Sequence, residues 1–188
     1  MTLPNKYYQM TSTVTNDAQL KMELVQKDFP TPKPHEVVIR VEASPINPSD
    51  QGVMFGWSNM ANAYHEGVGP KRILTAPISD QGMGIMKARI GQNLPVGNEG
   101  AGTVVLTGGN PEAKALMGKT VAALSGSMYA EYCCIPAMTC LPLLDENNAK
   151  DGASSFVNPL TALSMVETMK LEGHKALVHT AAASNLGQ

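Results

Sequence analysis

Two polar side chains stand where apolar runs end, and a run of small residues stands where a helix should begin. Asn47 follows the β-branched stretch EVVIRVEASPI and precedes Pro48, and Thr161 follows VNPL in an apolar, helix-like stretch. Short polar groups so placed can fix a carboxamide or carbonyl and donate to negative charge as it builds on oxygen. Each also has a structural reading. Asn47 would cap a helix starting at Pro48, and Thr161 would bond its own helix backbone. The third candidate is KALVHTAAASNLGQ (Lys175–Gln188), an apolar strand over Ala176–Thr180 feeding small residues and a Gly. Strand, small-residue turn and helix N-terminus together make a pyrophosphate site, because backbone N–H groups face the anion and a sizeable Cβ obstructs it. Ala181, Ser184 and Gly187 are small in keeping with that reading, and the Ser184 hydroxyl adds a donor.

Metal chemistry has little to draw on. Cys133, Cys134 and Cys140 all lie in YCCIPAMTC. Neighbouring strand residues point to opposite faces, so Cys133 and Cys134 do not share an ion readily. No Cys-x-x-Cys or nearby His completes a zinc set, and the thiols are expected to be buried small hydrophobes. The twelve methionines are scattered, as core fillers are. His35 and His174 are expected to face solvent, His65 lies beside Glu66 in a loop, and His179 is expected to be a satisfied core histidine.

The elements that position these residues are mostly short strands. Residues 7–27 alternate weakly about Asn16-Asp17, which predicts a hairpin. PTPKPHE cannot be helical, and EVVIRVEA is a buried strand. Pro48 and Gly56 bracket a short helix. Residues 57–93 keep no period and are expected to be a long excursion with one helix near 83–89. EGAGTVVLTGG, GKTVAAL and MYAEYCCIPAMTCLPL add further strands, and many short strands with Gly/Pro turns favour a small β-barrel. After Asp151 the pattern becomes helical, with Leu160, Leu163, Val166 and Met169 on one stripe and Gly173 as the stop. A helix followed by a strand and Gly turn opens an α/β unit.

With 43% hydrophobic and 16% charged residues over 188 positions, a globular core is expected. A formal charge of −2 offers no field for nucleic acid or an anionic membrane. No apolar run approaches the roughly 18 residues of a membrane span, so a cytoplasmic protein with neither partner is expected.

Three segments in order, SPINPSD (Ser44–Asp50), PVGNEGAGTVV (Pro95–Val105) and VNPLTAL leading to HTAAASNLGQ, resemble the medium-chain dehydrogenase/reductase superfamily. The resemblance implies a mainly β, GroES-like N-terminal barrel over 1–155, with 57–93 inserted. It further implies a linking helix and the first strand and turn of a truncated Rossmann α/β domain over 156–188. The zinc-dependent branch carries a Cys in the first segment and Gly-His-Glu in the second. Here there is no such Cys, and Gly97-Asn98-Glu99 replaces the triplet. Asn is a poor zinc ligand, so no zinc is expected. Asn47-Pro48-Ser49-Asp50, Asn158-Pro159-Leu160-Thr161-Ala162 and Ala181-x-x-Ser184-x-x-Gly187 are instead similar to the zinc-independent quinone oxidoreductases and 2-enoyl thioester reductases.

That similarity implies an NADPH-dependent oxidoreductase delivering hydride to an α,β-unsaturated carbonyl, an enoyl thioester or a quinone, as a homodimer. It implies Asn47, Thr161 and Tyr64 as catalytic residues. Asp50, Thr161, Ala181, Ser184, Asn185, Leu186 and Gly187 would contact the cofactor. Tyr64 enters because the thioester reductases place a Tyr where this chain has Ser58. An ordinary loop tyrosine is its structural reading. A non-catalytic barrel domain with a binding role is the alternative from another class, and a zinc-type alcohol dehydrogenase is a second. Residues beyond about 174 are expected to be poorly anchored unless another chain covers them, since a parallel strand needs neighbours on both sides. The intact mass of the native protein tests the fragment expectation: about twice this chain's 19.9 kDa is expected, and a mass near 19.9 kDa would favour the lone barrel.

Overall fold

The computed structural model describes residues 2–187. Its strands are β1 (Lys6–Val14), β2 (Gln19–Asp28), β3 (Glu36–Ala43), β4 (Tyr64–Glu66), β5 (Ile73–Pro77), β6 (Asn93–Pro95), β7 (Glu99–Thr107), β8 (Thr120–Leu124), β9 (Tyr132–Pro136) and β10 (Cys140–Pro142). Helices are α1 (Pro48–Met54), α2 (Asp80–Ile85), α3 (Pro111–Lys114), α4 (Ala149–Gly152) and α5 (Val157–Leu171). The strands form two antiparallel sheets, ordered β4-β5-β2-β1-β6 and β10-β8-β7-β3-β9.

Period-two burial explains each sheet's inner face. In the first, Val14, Leu20 and Met22 pack with Met54 of α1, Ile78, Met86 and Val96. In the second, Val37, Ile39, Val104, Val121, Cys133 and Ile135 pack around Met128. Residues 129–131 join the two. Met10 N–H donates to the Tyr129 carbonyl (2.8 Å), Glu131 N–H to Tyr8 (3.0 Å) and Val41 N–H to Glu131 (3.0 Å). The sheets therefore make a partly open, mainly β GroES-like unit rather than a closed barrel.

The hairpin, the buried strand at 36–43, the helix after Asn47 and the strand from Glu99 form where the sequence predicts them. The segment 57–93 does not. It contributes β4 and β5 to the first sheet, with β5 pairing to β2 from Gln19↔Pro77 to Glu23↔Ile73. Its helix lies at Asp80–Ile85 and is followed by a 3-10 turn at Lys87–Arg89. Ladder hydrogen bonds and the burial of Thr75 and Ala76 hold β5 in place, although five residues are too few to show a period.

α5 stops as expected, with Gly173 just beyond the C-cap at φ +71°. None of its residues is buried, and Leu160, Leu163 and Val166 of the expected stripe are exposed. Ala176–Thr180, expected as a strand, has no strand partner among the described residues. Without neighbours to satisfy its backbone, an apolar segment gains nothing by extending. His179 also departs from expectation, because its Nδ1 is buried without a hydrogen-bond partner.

The thiols carry no reactive signature. Burial pushes Cys134 and Cys140 up to about 12, and Cys133 is raised by burial as well.

Gly102 marks the tightest strand contact. A Cβ there would run into the Arg40 carbonyl of β3, which backbone cannot yield. Gly102→Ala is expected to cost about 1–3 kcal/mol, read as a lower urea midpoint, while Gly109→Ala, facing open space, should leave the midpoint in place.

Candidate functional site

The polar centre forms where the loop after β3 meets the loop before β7. Asn47 is the N-cap of α1 with Pro48 at the first helical position, and Asp50 sits in the first turn where a carboxylate favours the helix dipole. Asp50 Oδ2 accepts the Asn47 N–H (2.7 Å), and its Oδ1 accepts the Asn98 N–H (2.8 Å). At 1% exposure and with no ion pair among the described residues, this carboxylate is compensated by two backbone N–H donors, with the Tyr129 phenol beside it. It clasps the two segments together. Asn98 Nδ2 adds a bond to Ser49 Oγ (2.9 Å), and the Asn98 carbonyl accepts from Ser125 (2.8 Å).

Glu99 is the second buried carboxylate. Its Oε1 accepts Asn47 Nδ2 (2.9 Å), and its Oε2 accepts the N–H groups of Phe156 (2.8 Å) and Val157 (3.0 Å). The N-cap residue Phe156 offers no side-chain cap, so Glu99 satisfies that helix end from β7. Gly97, at φ +97°, lets the chain pass the Tyr129 backbone, where a Cβ would come within 2.5 Å of the amide nitrogen. The Tyr129 hydroxyl donates to the Pro45 carbonyl (2.7 Å). Burial, with Asp50 and Glu99 nearby, holds this phenol well above its usual range, so it stays protonated. At the other end of α1, Arg89 donates to the Val53 carbonyl (2.7 Å), the Gly52 carbonyl (3.3 Å) and Ser12 Oγ (3.2 Å), placing a cation at the helix C-terminus.

Of the residues singled out in the sequence, Asn47 and Asp50 meet in this cluster. Thr161 lies on α5, and its hydroxyl donates to the Val157 carbonyl (2.6 Å). Tyr64 is exposed on the edge strand β4, opposite Thr75 of β5. Asn185 and Leu186 line a cavity of about 440 Å3 with Ser154, Asn158, Pro159 and Ala162. Ala181 and Gly187 close two turns through Ser184, whose N–H donates to Ala181 and whose carbonyl accepts from Gly187, both at 2.9 Å. Glu99, Asn98, Tyr129 and Arg89 were not singled out as site residues. The legible signal was Glu99, a charge opening the otherwise small and apolar strand EGAGTVV.

The ligand chemistry here suits hydrogen bonding better than metal binding. Both Glu99 oxygens and the Asn98 Nδ2 are engaged in hydrogen bonds, and among the described residues no three His, Cys, Asp or Glu side chains converge as an ion would require. Asp50→Asn removes one of the clasp's two anionic acceptors. It is expected to cost about 1–3 kcal/mol, seen as a lower urea midpoint at unchanged slope. An unshifted midpoint would mean the clasp contributes nothing.

No family model and no curated protein matches the chain. Solved structures do. A Mesorhizobium loti protein named as an NADPH:quinone reductase is similar over 100% of this chain at 32% identity, with a TM-score of 0.69. A Bacillus thuringiensis protein of the same naming is similar over 97% at 22% identity (TM-score 0.64). The quinone oxidoreductase of Coxiella burnetii is similar over 88% at 18% identity (TM-score 0.61). This chain spans 51%, 47% and 45% of those proteins, about half of each. In fold, the chain's structural neighbours are quinone oxidoreductases of the medium-chain dehydrogenase/reductase superfamily, and the half-length coverage is consistent with an N-terminal portion of such a protein.

Proposed function

We propose that the chain is the substrate-side portion of a nicotinamide-dependent oxidoreductase that reduces an activated, conjugated carbonyl, a quinone or an enoyl thioester, without zinc. The observation carrying this reading is the hydrogen-bonded cluster Asn47–Asp50–Asn98–Glu99, set in a chain 32% identical to a protein named as an NADPH:quinone reductase. The zinc enzymes of this superfamily carry a His where Asn98 stands, and an amide is a poor zinc ligand. Polarisation of the substrate then falls to hydrogen bonds.

NADPH fits the residues at the other end of the chain in type. Ala181, Ala182 and Ala183 offer no bulk, a Cβ at Gly187 would strike Ala182, and the nearby cavity presents polar atoms from Ser154, Asn158 and Asn185. When bound there, NADPH would supply the hydride. Ala181, Ser184, Asn185, Leu186 and Gly187 would hold its phosphates. Asn47, with one amide N–H fixed by Glu99, would be the group that meets the substrate at the reacting centre. Thr161 keeps its oxygen lone pairs for a ligand donor while its proton goes to Val157. Tyr64 is the candidate proton source from the solvent side. Under the same reading residues 1–155 are the substrate domain, 156–188 open the nucleotide domain, and the whole enzyme is a cytoplasmic homodimer.

The test uses the protein as its cell produces it, with NADPH absorbance followed at 340 nm. Oxidation with 1,4-benzoquinone or crotonyl-CoA is expected, at a rate that a metal chelator leaves unchanged. Stoichiometric zinc whose removal abolishes turnover would overturn the zinc-free reading, and no turnover with either acceptor would overturn the substrate class.

A further inference from the structure

We infer that Glu99 is a positioning residue that sets Asn47 and the first turn of α5 against each other, so that the two ends of the proposed site are held through one carboxylate. The activity arm of this inference rests on the proposed function; the structural arm does not. A carboxylate at 1% exposure must be compensated or it neutralises. Glu99 has no ion pair among the described residues, and its compensation is three N–H donors. The two oxygens divide the work. Oε2 takes the two backbone donors of Phe156 and Val157 at the positive end of a 15-residue helix. Oε1 takes the Asn47 side chain.

Two features separate this from a plain helix cap. A cap needs one oxygen, and the second is spent on a side chain 52 residues away in sequence. The bond also decides which end of the Asn47 carboxamide faces Glu99, because only the NH2 end can donate to a carboxylate. Asn47 thus has its orientation chosen by the residue that anchors the helix bearing Thr161. The neutral isostere cannot do both tasks. In Glu99→Gln one arm becomes an NH2, which faces donors either at α5 or at Asn47.

The experiment is a double-mutant cycle in the whole enzyme with Glu99→Gln, Asn47→Ala and the pair, read by kcat for NADPH oxidation. Glu99→Gln alone is expected to lower kcat roughly tenfold or more, and to add little on the Asn47→Ala background. Equal factors in both backgrounds would reduce Glu99 to a stability cap and overturn the inference. The second readout needs no turnover, so a failure of the proposed function stays distinguishable. In the wild type the Asn47 side-chain amide protons and the Phe156 and Val157 amides should be protected from exchange. Glu99→Gln should release at least one of these sets, and protection unchanged at both would overturn the inference. If Glu99→Gln does not fold, Glu99→Asp keeps the charge but shortens the reach. Wild-type kcat and exchange in that variant would overturn the inference, and loss of either would support it.

Discussion

The structure turns on two carboxylates buried without cations in contact. Asp50 and Glu99 are each 1% exposed, and each is held by N–H donors drawn from separate parts of the chain. An anion in a low-dielectric interior is tolerable only when its donors are fixed, so the anion in turn fixes them. Asp50 binds the loop before α1 to the loop before β7, and Glu99 extends the tie to α5. The candidates near Asn47 depend on these bonds at the N-terminal end of α1, while Met54 packs the other end of that helix into the first sheet's core.

α1 is the element most exposed to this constraint. It has only seven residues, too short to stand on its own propensity. Opposite charges at its ends offset that weakness, with Asp50 at the N-terminus and Arg89 on the carbonyls of Gly52 and Val53. Arg89 belongs to the inserted segment 57–93, so that segment is not an appendage. It adds β5 and the edge strand β4 to one side of the first sheet and returns to brace the helix that carries Asp50.

Much of this was legible in the sequence because the deciding signals are local. The hairpin about Asn16-Asp17, the strand EVVIRVEA and the Pro48 helix start each follow from a few adjacent residues. β5 was not legible, because ILTAP is a strand through its pairing with β2 and not through any period of its own. Asn47 as a cap could be read from the Pro that follows it, and the bond to Glu99 could not, since nothing local links positions 47 and 99. The apolar stripe of α5 and the run Ala176–Thr180 show the reverse case. Their pattern is clear in the sequence, and among the described residues nothing packs against it to turn pattern into burial.

The seam at residues 129–131 has a consequence for how the chain acquires its structure. Tyr8 of β1 meets Glu131 through a bond to its carboxylate as well as its backbone, across 123 residues of sequence. On a ribosome adding roughly 5–20 residues per second, the hairpin would emerge and wait on the order of ten seconds for the segment that joins it to the second sheet. During that interval α1, β5, β6 and residues 78–96 emerge and can cover the hairpin's apolar face, so only the join to the second sheet has to wait. Assembly of the two sheets is therefore a late, long-range event, completed only after the first sheet has its own core.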